Sequence, residues 1–404
     1  MIGLTERGRL LLVLAGAMYL VAWGFGSRAL YPVATGLALA ALGARLWVAI
    51  ARQPVVLKRS LGSAGHLEGG AVTVGLEATP QRNPGPRSLE VVELAGRLGE
   101  HRARLSRHGS TLLTRYILPA VPRGRYRFEA VRAVFEDPFA LARAETELGT
   151  ESTLLVYPRL VDLARLFSEA GGAPQTGGRV LLRRTAGFDL HSVREYEQGE
   201  SLRKVHWRTT ARRGTLMVKE LEDTPQDEVS VLLDADGRSV VGESFDVQVR
   251  AAGSILRAQA LRNRRAVLTI SSSPPESCQV ASYDGEWRLA LELLAAAEPT
   301  GTQPLTRFLD REGSPAAHAH ELVAITASLG IELTDALLER ALARRPTSLV
   351  FVEAASFRPE GASPTREPLL LRLQMAGVPV AVLRRGDDLA AKLSGLEKAL
   401  TAHG

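Results

Sequence analysis

The 404-residue chain has almost no cysteine: Cys278 stands alone. A single thiol cannot close a disulfide within the chain, and it leaves no cysteine-based zinc site. Cys278 is therefore read as a small, half-buried residue rather than a nucleophile. Aromatic residues are also scarce, at 5%. The arginines are spread along the whole chain without interleaved rings or a recognised reader motif, so a net charge of +6 does not argue for nucleic acid. Attraction to anionic lipid explains the excess with fewer assumptions. The G-x-S-x-G, H-E-x-x-H and G-x-x-x-x-G-K patterns are all missing. Their absence removes the commonest serine-hydrolase, zinc-peptidase and phosphate-loop chemistries.

Near the N-terminus it is charge that is lacking. From Leu10 to Ser27 no residue is charged, and as a helix that run reaches about 27 Å, close to the hydrocarbon thickness of a bilayer. Arg28 interrupts, and Ala29 to Ala51 is again apolar except for Arg45, which lies near the end and can snorkel to an interface. A signal peptide carries one apolar core and a cleavage site, and helices buried in a soluble domain usually keep a polar stripe. Two tandem runs without such a stripe predict a transmembrane helical hairpin over residues 1–52. Arg7 and Arg9 precede the first run, Arg52, Lys58 and Arg59 follow the second, and the connection holds only Arg28. By the positive-inside rule both ends lie in the cytoplasm, which predicts a multi-pass protein of the cell's cytoplasmic (inner) membrane with its soluble part facing inward.

Residues 53–160 read as a β-rich domain of the immunoglobulin or fibronectin kind. Ala71–Leu76, Leu89–Leu94 and Thr111–Leu118 are short stretches separated by turn residues such as QRNPGPRS at 81–88. In RGRYRFEAVRAVFEDPF, Tyr126, Phe128 and Ala130 alternate with Arg125, Arg127 and Glu129, the period of a half-buried strand. Thr153–Tyr157 is another short strand, and Ser168 to Gly178 is a Gly/Ala/Pro-rich connection. Residues 161–228 form a linker together with a dense polar-aromatic segment. From 229 to 404 strands alternate with amphipathic helices. EVSVLLDADG is a buried strand, followed by a helix over Asp246–Asn263 and a strand at Ala266–Ile270. Later come a helix at Trp287–Ala297, strands at Ser348–Glu353 and Val378–Leu383, a helix around Pro368–Met375 and a last helix from Asp388. This alternation predicts a Rossmann-type α/β domain with a parallel sheet, helices on both faces and ligands at the carboxyl ends of the strands.

The polar-aromatic segment, FDLHSVREYEQGESLRKVHWRTTARRGTLMVKELED at 188–223, carries Arg194, Tyr196, Gly199, Arg203, His206, Trp207, Ala211 and Arg212 in the order R-x-Y-x-x-G-D-x-x-R-x-I-H-W-x-x-x-A-R. It resembles the signature of the domain of unknown function 58 family, with Glu200 where that family usually has Asp. Two apolar spans, an RGRY…DPF stretch, VYPR at 156–159 and a C-terminal α/β part extend the likeness over almost the whole chain. The resemblance implies a membrane protein with a von Willebrand factor A-like domain, and a MoxR-type AAA+ ATPase as partner in a chaperone-like or assembly task. In physical terms, Arg194, Arg203 and Arg212 can each fork to a carboxylate or phosphate. Glu200 can satisfy one of them, and Gly199 offers a turn. His206 beside Trp207 has no Ser or Cys partner at a recognisable spacing. The segment is read first as a buried polar network, then as a binding surface, with catalysis last.

A von Willebrand A-type domain often binds Mg²⁺ through oxygen ligands on three loops. The matching positions here are Asp234, Asp236 and Ser239 after the first strand, Thr302 in the second loop and Glu353 after a later strand. Arg238 stands where a Ser ligand belongs. A guanidinium cannot ligate a cation, so a degenerate site, with a salt bridge in place of the metal, is favoured over a Mg²⁺ site, and no cofactor is expected. These observations predict a membrane-bound interaction protein without enzymatic activity. The competing reading is a hydrolase that uses His206 with Glu200 or Asp234.

Overall fold

The computed structural model describes residues 2–62, 65–81, 88–149, 151–170, 189–195, 210–212, 214–222, 228–281, 283, 285–310, 314–358 and 368–395. The chain divides into two compact units, Met1–Tyr157 and Pro158–Gly404.

The first unit opens with a short strand, β1 (Ile2–Leu4), ahead of two long helices, α1 (Glu6–Phe25) and α2 (Leu30–Ala51). Thr5 caps α1 by accepting the Gly8 N–H on its hydroxyl, and Gly26 ends it in the left-handed region at φ +68°. At 1.5 Å per residue the helices reach about 30 and 33 Å. Both are long and apolar enough to cross a membrane, yet only 17% and 22% of their apolar windows are buried. A helix that forms the core of a soluble domain is mostly covered; these are not. Away from the ends they face each other through small residues at seven-residue spacing, Ala15 and Ala22 on α1 and Ala34 and Ala41 on α2, while Gly8 lies against the Leu141 carbonyl and Val48 enters the core of the sheets that follow. That spacing is a coiled-coil-like seam of small residues.

Ten strands follow: β2 (Val55–Leu61), β3 (His66–Leu67), β4 (Gly70–Pro80), β5 (Ser88–Leu94), β6 (Glu100–His108), β7 (Thr111–Val121), β8 (Gly124–Phe128), β9 (Val131–Glu136), β10 (Ala142–Leu148) and β11 (Ser152–Tyr157). They build an eight-stranded antiparallel sheet in the order β1-β10-β9-β5-β6-β7-β4-β2 and a three-stranded sheet β3-β11-β8. Alternation decides which residues go inside. Val72, Val74, Leu76 and Ala78 of β4 are buried while their neighbours Thr73 and Glu77 are exposed, and Tyr126 and Phe128 of β8 are buried between exposed arginines. One hydrophobic core draws side chains from both sheets. Within this core, Arg59 and Glu93 form a buried ion pair whose side chains are 4% and 1% exposed. Tyr116 also donates its hydroxyl to Glu93, and Arg59 donates to Ser152 Oγ and to the Glu129 carbonyl, both at 2.7 Å.

In the second unit, β12 (Asp189–Glu195) and β13 (Met217–Glu222) pair as an antiparallel ribbon. The remaining strands are β14 (Val229–Leu233), β15 (Ala266–Ile270), β16 (Glu276–Val280), β17 (Glu321–Thr326), β18 (Thr347–Val352) and β19 (Val380–Leu383). They form one sheet in the order β16-β15-β14-β17-β18-β19, parallel except for the edge strand β16. Val229, Val231 and Leu233 of β14 enter one core with Val249, Ala252, Ile255 and Leu256 of the helix Ser244–Leu261. Leu232 enters the other core, with Leu333 and Leu337 of the helix Ile331–Leu342. The sheet is thus covered by helices on both faces, which is why its strands read as continuous apolar runs. Expected and observed element ends differ by a few residues, as at Ser244–Leu261 for the helix read over Asp246–Asn263. β16, β17 and the helix Ile331–Leu342 were not anticipated from sequence. Most of the Ser168–Gly178 connection, from residue 171, lies outside the described residues.

Candidate functional site

β14 lies at the middle of the sheet, and here the chain's path reverses: β15 follows on one side of it and β17 on the other. In doubly wound sheets the crevice at such a switch point, beyond the carboxyl ends of the strands, is where ligands bind. Asp234 is the first residue past β14. Its N–H still donates to the Ile325 carbonyl at 2.8 Å, so the backbone holds it in register with β17. Its carboxylate is gripped from both neighbouring strands. Thr326, the last residue of β17, donates its hydroxyl to Oδ2 at 2.6 Å. Ser271, just past β15, donates to Oδ1 at 3.3 Å, and the Asp236 N–H reaches the same oxygen at 3.1 Å. Burial lifts the Asp234 carboxyl above the ordinary carboxylate range, and the nearby Asp236 charge adds to that. The hydrogen bonds from Thr326, Asp236 and Ser271 pull the other way. Among the described residues no cation forms an ion pair with it.

Asp236 caps a tight turn, Gly237–Ser239, by accepting the Arg238 N–H. The Arg238 side chain then folds back as a fork on the same carboxylate, Nε at 2.9 Å from Oδ1 and a terminal nitrogen at 2.8 Å from Oδ2. That fork holds the Asp236 carboxyl below its usual range. The guanidinium is 77% exposed, while the carboxylate it covers is 17% exposed. Behind this turn the loop around Gly301 approaches closely: Gly301 N–H donates to the Ala235 carbonyl at 2.8 Å. A Cβ on Gly301 would lie 2.4 Å from the Ser271 carbonyl oxygen, so only glycine fits there. An open cleft of about 410 Å³ extends from Asp234, Asp236 and Arg238 past Gln303 to Ser328 and Glu332.

The sequence-predicted ligand set does not converge. Asp234 and Asp236 line the cleft; Ser239, Thr302 and Glu353 do not. Ser239 spends its hydroxyl on the Asp236 carbonyl at 2.8 Å, and Thr302 is exposed. Glu353, buried past the end of β18, pairs with Arg384 at 2.5 Å. Among the described residues there is no group of three or more His, Cys, Asp or Glu side chains placed to hold a metal. With both Asp236 oxygens on Arg238 and the Asp234 oxygens on two hydroxyls and an N–H, the donors present do not fit Mg²⁺. The residues that do hold Asp234, Ser271 and Thr326, were missed. A hydroxyl directly after an apolar strand was the available signal, in LTISSS at 268–273 and VAITAS at 323–328.

Of the signature, Tyr196, Gly199, Glu200, Arg203, His206 and Trp207 lie outside the described residues. Arg194 lies in β12 opposite Val218 of β13, and Arg212 is exposed.

Residues 192–347 match the family described as Protein of unknown function DUF58. The chain is also 25% identical over 272 residues to Uncharacterized protein YeaD of Bacillus subtilis (strain 168), covering 67% of this chain and 66%, just under two thirds, of that protein. Among solved structures, a beta-glucosidase from Listeria innocua in complex with gluconolactone aligns at 13% identity over 24% of this chain and 16% of its own, with a TM-score of 0.15. Cwp6 from Clostridium difficile aligns at 9% identity over 85% of this chain and 51% of its own, with a TM-score of 0.16. Neither superposition is close enough to carry an argument.

Proposed function

We propose that the chain is a membrane-anchored, non-enzymatic interaction protein of the DUF58 kind, a reading supported by the match of residues 192–347 to that family of unknown function and by the likeness to YeaD. In this reading α1 and α2 cross the cytoplasmic membrane as a hairpin, and everything from β2 onward lies in the cytoplasm. The exposed apolar surfaces of both helices and the basic flanks Arg7, Arg9, Arg52 and Lys58 support it. So does β1, which pairs with β10 and puts the chain before the first helix into the same folded body as the chain after the second. The six-stranded unit is then a von Willebrand factor A-like docking domain, a reading supported by its strand order and single antiparallel edge. By family resemblance its partner is a MoxR-type AAA+ ATPase.

The observation that carries this proposal is the Asp234 edge. A buried carboxylate is held at the switch point by hydroxyls from both adjacent strands and opens into a cleft beside an exposed arginine fork. Such an edge presents fixed charge and hydrogen-bonding groups to an incoming surface. The test is co-purification of the full chain, extracted from membranes in mild detergent, with a MoxR-type ATPase. Wild type recovers the ATPase, and Arg238→Glu and Asp234→Ala each lower recovery about tenfold, equivalent to ~1.4 kcal/mol. Chelation of divalent cations leaves recovery unchanged, because the donors do not fit Mg²⁺. Failure to recover any such ATPase, or recovery untouched by both substitutions, refutes the proposal.

A further inference from the structure

The DPF stretch of the sequence forms the tight turn between β9 and β10, and this turn is fastened to the start of α1. Thr5 donates its N–H to the Leu141 carbonyl at 2.9 Å and its hydroxyl to the Ala140 carbonyl at 2.6 Å. Gly8, one turn into the helix, lies so close that a Cβ there would come 2.1 Å from the Leu141 oxygen. The turn itself is held rigidly. The Asp137 carboxylate accepts the N–H groups of Phe139, Leu141 and Ala142 at 2.9, 2.7 and 2.6 Å, and Ala140 sits in the left-handed region at φ +57°. On this rigid turn Phe139 is 78% exposed.

A phenyl ring left in solvent on a turn with no freedom to fold it away calls for a covering surface, and the attachment fixes its level. Phe139 sits beside the first turn of α1, just before the uncharged run begins at Leu10. Exposed Arg7 and Arg9 occupy the same level on α1, with exposed Arg52 directly after α2. Trp47, one turn before the end of α2, is 57% exposed. Basic residues and aromatic rings at the end of an apolar hairpin are the composition of a membrane–water interface with anionic lipid.

We propose that Phe139 is a membrane-interface contact: the β9–β10 turn sets its ring into the headgroup layer of the bilayer that α1 and α2 enter, which orients the β-sheet unit on the lipid surface. This inference rests on the membrane reading of the hairpin, and the experiment separates the two. The full chain, with Cys278→Ser, is reconstituted into phosphatidylethanolamine–phosphatidylglycerol vesicles carrying a nitroxide at Phe139→Cys or at Leu14→Cys. Collision rates with oxygen, which concentrates in lipid, and with a water-soluble nickel chelate report depth. The expected result is a deep position for the label at 14 and a shallow lipid position for the label at 139, where the oxygen rate exceeds the nickel rate. If the label at 14 is deep while the label at 139 collides with nickel as freely as in water, the Phe139 contact is refuted and the hairpin stands. A label at 139 shielded from both reagents means a protein partner instead, which also overturns the proposal. If the label at 14 is itself in water, both readings fall together.

Discussion

Asp234 is a buried carboxylate that hydrogen bonds solvate and no cation balances, so its neutral isostere makes the sharpest test of the site. In Asp234→Asn the side-chain oxygen, kept at the Oδ1 position, still accepts from the Asp236 N–H and the Ser271 hydroxyl. The new amide points at Thr326 Oγ1, which becomes its acceptor and turns its own proton fully onto the Ser328 carbonyl, already 2.8 Å away. Every hydrogen bond is kept and a buried charge is removed. In Asp234→Ala the same groups lose their acceptor. Thr326 still has Ser328, but the Asp236 N–H and the Ser271 hydroxyl are left unpaired, at about 1–3 kcal/mol each. Because burial raises the folded-state value of Asp234, protonation favours the native state. This contribution to stability is complete below the unfolded value, near 4, and is lost as pH rises through the higher folded value. Asp234→Asn is therefore expected to match or exceed wild type at pH 7, with the gap closing toward pH 4. Asp234→Ala should lose about 2–4 kcal/mol near pH 4, and less as pH rises and wild type itself gives up the contribution of the protonated carboxyl. Denaturant unfolding of the full chain in detergent, followed from pH 4 to 8, measures both. Equal losses for Asn and Ala would refute the reasoning, since the carboxylate would then be a net stabiliser through its charge.

Two further predictions concern the first unit. Glu93→Ala should cost about 3–5 kcal/mol, because it strands Arg59, 4% exposed, without its counter-ion. The double variant Arg59→Met with Glu93→Leu should recover most of that in the same unfolding assay, and a single-variant loss below about 1 kcal/mol would show the pair to be dispensable. Gly8→Ala tests the attachment of α1. Helix propensity alone favours alanine by about 1 kcal/mol, but its Cβ would meet the Leu141 oxygen at 2.1 Å. Overpacking of this kind costs about 1–3 kcal/mol. The clash should win, lowering the thermal midpoint of the β-sheet unit; a raised midpoint would mean that α1 and the β9–β10 turn are not in contact.

Much of this architecture is written in local pattern. The uncharged run from Leu10 to Ser27 and the alternation around Tyr126 and Phe128 each follow one rule, and the elements appear where those rules put them. β17 escaped because its apolar run, Leu322–Ile325, is only four residues long and buried on both faces, so it shows neither a period of 2 nor one of 3.6. With it went Thr326, the hydroxyl nearest the Asp234 carboxylate. β1 escaped for a different reason: three residues have no pattern, and only the partner strand β10, more than 130 residues away, makes them a strand. The site was legible in its acids and not in its partners. Asp234 and Asp236 lie two residues apart in sequence, but Ser271 and Thr326 reach Asp234 only through the order in which the sheet is assembled. Arg238 was legible as a bar to metal from its charge alone, and its fork on Asp236 is what that charge does.

The two units treat a buried carboxylate in opposite ways. In the first, Glu93 is matched by a guanidinium, both side chains are almost wholly buried, and the hydroxyl of the half-buried Tyr116 adds a second donor. Each charge answers the other, so the arrangement needs no function to account for it. In the second, Asp234 receives two hydroxyls and an N–H, while Arg238 is turned outward onto Asp236. Stability alone would favour asparagine at 234. The carboxylate is placed at the switch point of the sheet, where Asp236 and Arg238 neutralise each other and leave its charge uncancelled at the base of an open cleft. A charge kept at a cost to folding, at the base of an open cleft, is suited to a complementary group arriving from outside. On this argument the partner brings to the cleft a positively charged or strongly hydrogen-bond-donating side chain.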